Sequence, residues 1–227
     1  MSEYYIILKI AWSDNVRCYN TFLFEDSPVW DHVPEAPLRC FNWEEPGFSR
    51  PLSFAKLCGI KDKGIAARLW SFEENVRQVY TRRDDPIYKD SCVELFIKPF
   101  SDSGYLNFEM NSVGAYLSEY GDKREGRVLI KSLTETAPTV IPITELAPDG
   151  VSVGWGCEIF IPDELISAVT GKEWHTGECT LHGNFYKCAD ESSAPHYLSF
   201  FPVGDRKKGF HNPDCFGEIT LKEGRDF

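Results

Sequence analysis

One stretch constrains this chain more than any other: Tyr88 to Asn111, reading YKDSCVELFIKPFSDSGYLNFEMN. Its residues alternate between oily and polar along two short arms, the period-2 pattern of strands with one buried face. Val93, Leu95 and Ile97 form the oily set of the first arm, and Leu106, Phe108 and Met110 that of the second. Pro99 to Gly104 lies between them and carries the Pro, Ser, Asp and Gly of a turn. Pairing the arms antiparallel predicts a hairpin whose opposite face holds Glu94, Asn107, Glu109 and Asn111. The register also sets Glu94 across from Glu109. Directly opposed like charges destabilise a strand pair, so a cation, a shared proton, a ligand or a basic neighbour is expected to compensate.

The rest of the chain repeats the pattern. Short β-like runs are predicted at Tyr4–Ile10, Val16–Phe24, Ser53–Gly59, Ile65–Ser71, Val113–Tyr120, Arg127–Leu133, Thr139–Ile143, Val151–Ile161, Cys179–Cys188, Tyr197–Phe201 and Gly217–Leu221. Asn75–Thr81 reads as another edge or a continuation. Pro138 and Pro142 place Thr139–Ile143 at an edge. A single short helix is expected from Pro162-Asp163-Glu164 to about Thr170, with acids at its positive end and Gly171 as its stop. Ser27 to Pro51 is a long proline-rich loop with Trp30 and Trp43 inside it, expected to wrap over the sheets. Many short strands about ten residues apart and hardly a helix predict an all-β, two-sheet antiparallel β-sandwich of jelly-roll or immunoglobulin type. With no linker or internal repeat, residues 1–227 are read as one domain.

The formal net charge of −11 argues against nucleic acid or an anionic membrane as partner, since both ask for a basic patch. No apolar run reaches the roughly 18 residues of a membrane span. The eight cysteines contain no C-x-x-C pair. Without a secretory signal they are expected as reduced thiols in a cytoplasmic setting. Asp84-Asp85 and Asp90 are oxygen-bearing, but no D-x-D-x-D-G loop exists for calcium, and the five histidines have no metal-site spacing. No metal or cofactor is expected from these patterns.

Three places carry polar chemistry. The first is Glu94 with Glu109, which could also serve a glycoside hydrolase as its carboxylate pair. The second is Cys179–Cys188, where Thr180, His182, Asn184 and Tyr186 alternate with Leu181, Gly183, Phe185 and Lys187. Alternation alone reads that polar set as an outer sheet face. The third is the loop Phe210-His211-Asn212-Pro213-Asp214, an aromatic beside polar side chains. Sugars have apolar C–H faces and hydroxyl edges, so aromatic rings with a few placed polar groups suit them. A haem reading would need Met110 as an axial ligand, and Met110 is predicted to face the core.

Five motifs in order, DSCVELFIKP, YLNFEMNSVG, WGCEIFIP, HGNFYKC and FHNPDCFGEITL, resemble the family 9 carbohydrate-binding modules, and more closely the stand-alone bacterial proteins of that type. The similarity spans roughly Gly64 to Leu221. It implies a β-sandwich that binds a mono- or oligosaccharide without catalysis, the sugar ring clamped between two aromatics. By position these are Tyr88, six residues before Glu94, and Phe210, just before Pro213 and Phe216-Gly217. The resemblance further assigns hydroxyl contacts to Glu94, Asn111 and Asn184, with Tyr186, Glu109 and Lys187 as further candidates. Calcium accompanies some members. This sequence departs from the family in having Tyr and Phe where the clamp has tryptophans, and Glu109 where a basic residue stands.

Overall fold

A computed structural model describes residues 17–147 and 150–224. The strand expected at Tyr4–Ile10 lies outside them. Fourteen strands and one α-helix are present among the described residues. In chain order the first strands are β1 (Cys18–Phe24), β2 (Ala36–Pro37), β3 (Cys40–Phe41), β4 (Leu52–Ile60) and β5 (Gly64–Phe72). The predicted hairpin follows as β6 (Cys92–Lys98) and β7 (Tyr105–Asn111), then β8 (Tyr116–Gly121) and β9 (Val128–Leu129). The chain continues through β10 (Thr139–Leu146), β11 (Val153–Pro162), helix α1 (Asp163–Thr170), β12 (Cys179–Cys188), β13 (Tyr197–Ser199) and β14 (Gly217–Glu223). No helix among the described residues is long and apolar enough to cross a membrane.

The architecture is the expected β-sandwich, with its two layers continuous. The hydrogen-bonded order runs β10-β11-β5-β4-β1-β14-β12-β6-β7-β8-β9. β1 is parallel to both β4 and β14, which carries the sheet round from one layer to the other. Every other pairing is antiparallel. Between the layers, Leu57, Ile65, Leu69 and Ile159 of one half meet Val93, Leu95, Phe108 and Phe185 of the other in a single core cluster. β10 is an edge strand, as its prolines required. Helix α1 begins after Pro162, carries Asp163 and Glu164 in its first turn, and ends at Gly171 in the left-handed region, φ 68°.

Two expected strands differ. Asn75–Thr81 forms none: the N–H groups of Val79 and Tyr80 bond to the buried Asp90 carboxylate, which takes the place of a neighbouring strand. Arg127–Leu133 yields only Val128–Leu129 before the chain tightens into a 3₁₀ turn at Ile130–Ser132, pulled in by the fully buried Ile130.

The long loop from Ser27 to Pro51 does wrap the sheets. Its β2 pairs with β4 and its β3 with β13. A second apolar cluster, including Ile87, Phe96, Tyr105, Tyr186 and Phe210, lies on the far side of β6, β7 and β12 from the main core. The polar-patterned face of these strands is thus covered by loops.

Candidate functional site

Strand register arranges the covered face in rows. One row runs Tyr186, Glu94, Glu109, Leu117 across β12, β6, β7 and β8. On one side of it lie Cys188, Cys92 and Asn111; on the other lie Asn184, Phe96, Asn107 and Glu119. Loops close over most of this surface but leave a cleft of about 280 Å³. Glu94, Glu109, Cys188 and Asp190 are among the residues that form its floor and side. Its rim carries Tyr88 from one loop and Trp43 and Phe210 from two others.

Glu94 and Glu109 are directly opposed, as the sequence predicted, and only 2% and 3% exposed. Burial pushes both carboxyls well above the usual carboxylate range, and the neighbouring Glu94 pushes Glu109 further. Burial thus favours the neutral carboxyls, which relieves the like-charge conflict, and two hydrogen bonds add to this. Asn107 Nδ2 donates to Glu109 Oε1 at 3.0 Å, and Cys188 Sγ donates to Glu94 Oε1 at 3.0 Å. Glu109 Oε2 is buried with no partner.

Behind Asn107 stands Arg127, which supplies the basic character the resemblance found wanting at position 109. Its Nε and Nη2 donate to Asn107 Oδ1 at 3.0 and 2.7 Å, and its guanidinium lies 4.0 Å from the centre of the Tyr105 ring. Its Nε also lies 3.7 Å from Glu119 Oε2. Tyr105 bonds through its hydroxyl to His211 Nδ1 at 3.0 Å, and burial followed by the charge of Arg127 lowers that imidazole to about 3.

The aromatic rim is layered. Tyr186 is fully buried and stacks on Phe210 at 4.3 Å and 16°. Phe210, 8% exposed, is flanked by Trp43 at 5.4 Å, and Trp43 by Tyr197 at 5.6 Å. One face of Phe210 is thus taken by Tyr186. Trp43 is half-buried and sits at φ 54°, a left-handed conformation that costs a bulky residue. Tyr88, which also lines the cleft, is 39% exposed in the 3₁₀ turn Ile87–Lys89, pinned by the buried Ile87.

Of the residues singled out from the sequence, Tyr88, Glu94, Glu109 and Phe210 meet at the cleft. Asn111, Asn184 and Tyr186 do not line it. Asn111 donates to Tyr80 O at 2.7 Å and to Asp90 Oδ2 at 3.0 Å, and accepts from Ala115 N, holding the loop that carries Tyr88. Asn184 accepts from Phe201 N and Phe185 N, both at 2.9 Å, and donates to Phe201 O at 3.0 Å. It fastens the strand exit that leads to Phe210. Tyr186 packs beneath Phe210. Their strand face is not an outer surface, as alternation suggested, because these loops cover it.

Lys187 points away from the cleft. Its Nζ lies 2.7 Å from His196 Nε2 and 3.2 Å from Glu73 Oε1, in a largely buried network capped by Trp155 Nε1 donating to Glu73 at 2.6 Å. Met110 is fully buried in the main core and offers no axial ligand. The acids weighed for calcium are engaged elsewhere. Asp90 binds Arg77 and two backbone N–H groups, Asp84 pairs with Lys131 at 2.7 Å, and Asp85 accepts from Arg82 N. They do not fit the cage of six to eight oxygens that calcium takes.

Sequence reasoning missed Trp43, Arg127 and Asp190 in the cleft. Arg127 was recoverable by carrying the alternation through the Gly121–Gly126 turn, and Asp190 by extending that of β12. Trp43 had no periodic signal; only the length of its loop pointed to a role.

The sequence profile described as Carbohydrate-binding family 9 matches residues 28–221. Among solved structures, a presumptive carbohydrate-binding protein from Bacteroides uniformis ATCC 8492 is similar at TM-score 0.74 and 24% identity, covering 92% of this chain and 100% of its own. A family 9 carbohydrate-binding module from Caldicellulosiruptor kristjanssonii in complex with cellotriose is similar at TM-score 0.59 and 18% identity, covering 92% of this chain and 96% of its own. The same module in complex with glucose gives 0.58 and 17%, covering 92% and 98%. No curated protein matches the chain.

Proposed function

Because this chain belongs to carbohydrate-binding family 9, we propose that its cleft binds a small saccharide without transforming it. The observation that carries the reading is one cleft in which aromatic rings stand over buried carboxyls. Tyr88, Trp43 and Phe210 line it together with Glu94 and Glu109. A neutral carboxyl offers a hydroxyl both a donor and an acceptor. The rings meet the sugar's C–H faces. In this reading Tyr88 and Phe210 keep the clamp roles the resemblance gave them, with Trp43 added beside Phe210 because Tyr186 already occupies one Phe210 face. A cleft of about 280 Å³ suits one or two sugar units rather than a long chain. Glucose and a cello-oligosaccharide, which the Caldicellulosiruptor module holds in its complexes, are the first ligands to try.

The hydrolytic alternative asks the two carboxyls to flank a scissile bond, one as acid and the other as nucleophile or base. Glu94 and Glu109 are instead neighbours on one floor, opposed across a single strand pair and nearly sealed. Binding is the reading this placement supports.

The test is calorimetry against a panel of mono- and oligosaccharides, with a glycosidase assay in parallel. A saturable, weak heat with at least one sugar, weakened in Trp43→Ala and in Tyr88→Ala, is expected. No heat at millimolar sugar, or heats unchanged in both variants, refutes the proposal; turnover abolished by Glu94→Gln would replace it with the hydrolytic one.

A further inference from the structure

The cleft floor contains a chemistry that sugar binding does not use. Cys92 of β6 and Cys188 of β12 are cross-strand partners, and Glu94 follows Cys92 by two positions on the same face. The two sulfurs and a Glu94 oxygen lie within 4.8 Å of one another. Both cysteines are free thiols. Directly across from Glu94, Glu109 keeps its Oε2 buried without a partner. From the register, the two thiols and the two carboxyls cluster within one patch of three adjacent strands.

We propose that Cys92, Cys188 and Glu94, with Glu109 turning in from outside that group of three as the fourth donor, form a binding site for a zinc-like divalent ion. Two thiolates select a borderline-soft metal over calcium or magnesium, which take oxygen ligands. Zinc binds sulfur at about 2.3 Å and carboxylate oxygen at about 2.0–2.2 Å in a tetrahedron, so its donors stand about 3.3–3.8 Å apart. Cys188 Sγ and Glu94 Oε1 stand 3.0 Å apart, and all three donors lie within 4.8 Å of one another. An entry path exists, because Cys188, Glu94 and Glu109 line the cleft. The two nearby cations are engaged elsewhere, Lys187 with Glu73 and His196, and Arg127 with Asn107 and backbone carbonyls. On binding, the ion displaces the thiol protons and those held by the carboxyls to solvent, and no electron is transferred. A bound ion would also place a Lewis acid where a ligand hydroxyl reaches the floor.

The experiment uses the whole chain and cobalt(II) as the probe, after chelation and reduction. Cobalt bound by thiolates gives an intense near-ultraviolet charge-transfer band. The expected result is one equivalent bound with that band, displaced by zinc, and lost or at least halved in Cys188→Ser and in Cys92→Ser. Cys40→Ser, elsewhere in the fold, should keep it. Zinc should raise the melting temperature of the wild type and release protons measurable with a pH indicator. If a serine variant does not fold, the wild-type spectrum and stoichiometry decide. No thiolate band at stoichiometric cobalt, or a band that survives both serine variants, overturns the proposal. Sugar titrations of the chelated protein read the previous proposal independently, so either can fail alone.

Discussion

Asn184 separates a scaffolding role from a ligand-holding one. Its side chain is fully buried and makes three hydrogen bonds to backbone, two accepted from Phe201 N and Phe185 N and one donated to Phe201 O. Asn184→Ala removes all three and leaves two N–H groups and a carbonyl without partners. At about 1–3 kcal/mol for each orphaned group, with some relief from water entering, the loss is roughly 4 kcal/mol. For a chain of this length about 2–4 °C accompanies each kcal/mol, so the melting temperature should fall by roughly 8–16 °C. Thermal denaturation followed by circular dichroism, with urea melts at 25 °C as a check on magnitude, measures it. Were Asn184 a hydroxyl ligand, truncation would instead weaken sugar binding and leave the melt nearly unchanged. A melting temperature within about 3 °C of wild type would refute this use of the structure.

Three further outcomes follow from the same geometry. Trp43→Ala should reduce affinity for a bound sugar about tenfold, from a stacking contribution of about 0.5–1.5 kcal/mol plus lost apolar contact, read by calorimetry, while Trp30→Ala should not. Lys187→Met should destabilise the fold by about 3–5 kcal/mol, because it leaves Glu73 buried beside His196 without its cation; a urea melt shows this, and Glu73→Gln in the same chain should recover part of the loss. His196 is held neutral by burial and by the facing Lys187, with its imidazole lowered to about 3; Glu73, the Ser49 hydroxyl and the Ala194 carbonyl are its other polar neighbours. The unfolded chain takes up that proton near pH 6.5, so this contribution to stability is lost progressively as pH falls from about 6.5 toward 3, reaching about 2 kcal/mol by pH 5. His196→Gln should flatten the acid limb of the stability profile, and an unchanged limb would remove His196 as its source.

Local patterning carried the hairpin, its register, the opposed carboxyls and the single helix, because each depends on neighbours along the chain or across one tight turn. It failed where a side chain takes the place of a strand. Asp90 satisfies the N–H groups of Val79 and Tyr80, so Asn75–Thr81 keeps its β-like composition without a ladder. It failed again for β12, whose polar alternation looks like a solvent face until Asn184 binds the Phe201 backbone and draws a loop across it. The same limit hid Trp43: its place beside Phe210 depends on β3 pairing with β13, a contact between residues far apart in sequence. Lys187 stands on the oily side of its strand, and only the distant Glu73 and His196 explain it.

A sugar in the cleft is expected to contact Trp43 as well as Tyr88 and Phe210. The chain has six tryptophans, so it offers at most six indole N–H signals in a nitrogen-15 correlation spectrum, and Trp43→Phe identifies the one that matters. Titration with the sugar that gives the largest calorimetric heat should move the Trp43 indole signal saturably and leave those of Trp70, Trp155 and Trp174, buried away from the cleft, in place. A saturating sugar that leaves the Trp43 signal where it was, or that moves those of the buried tryptophans instead, would contradict the account.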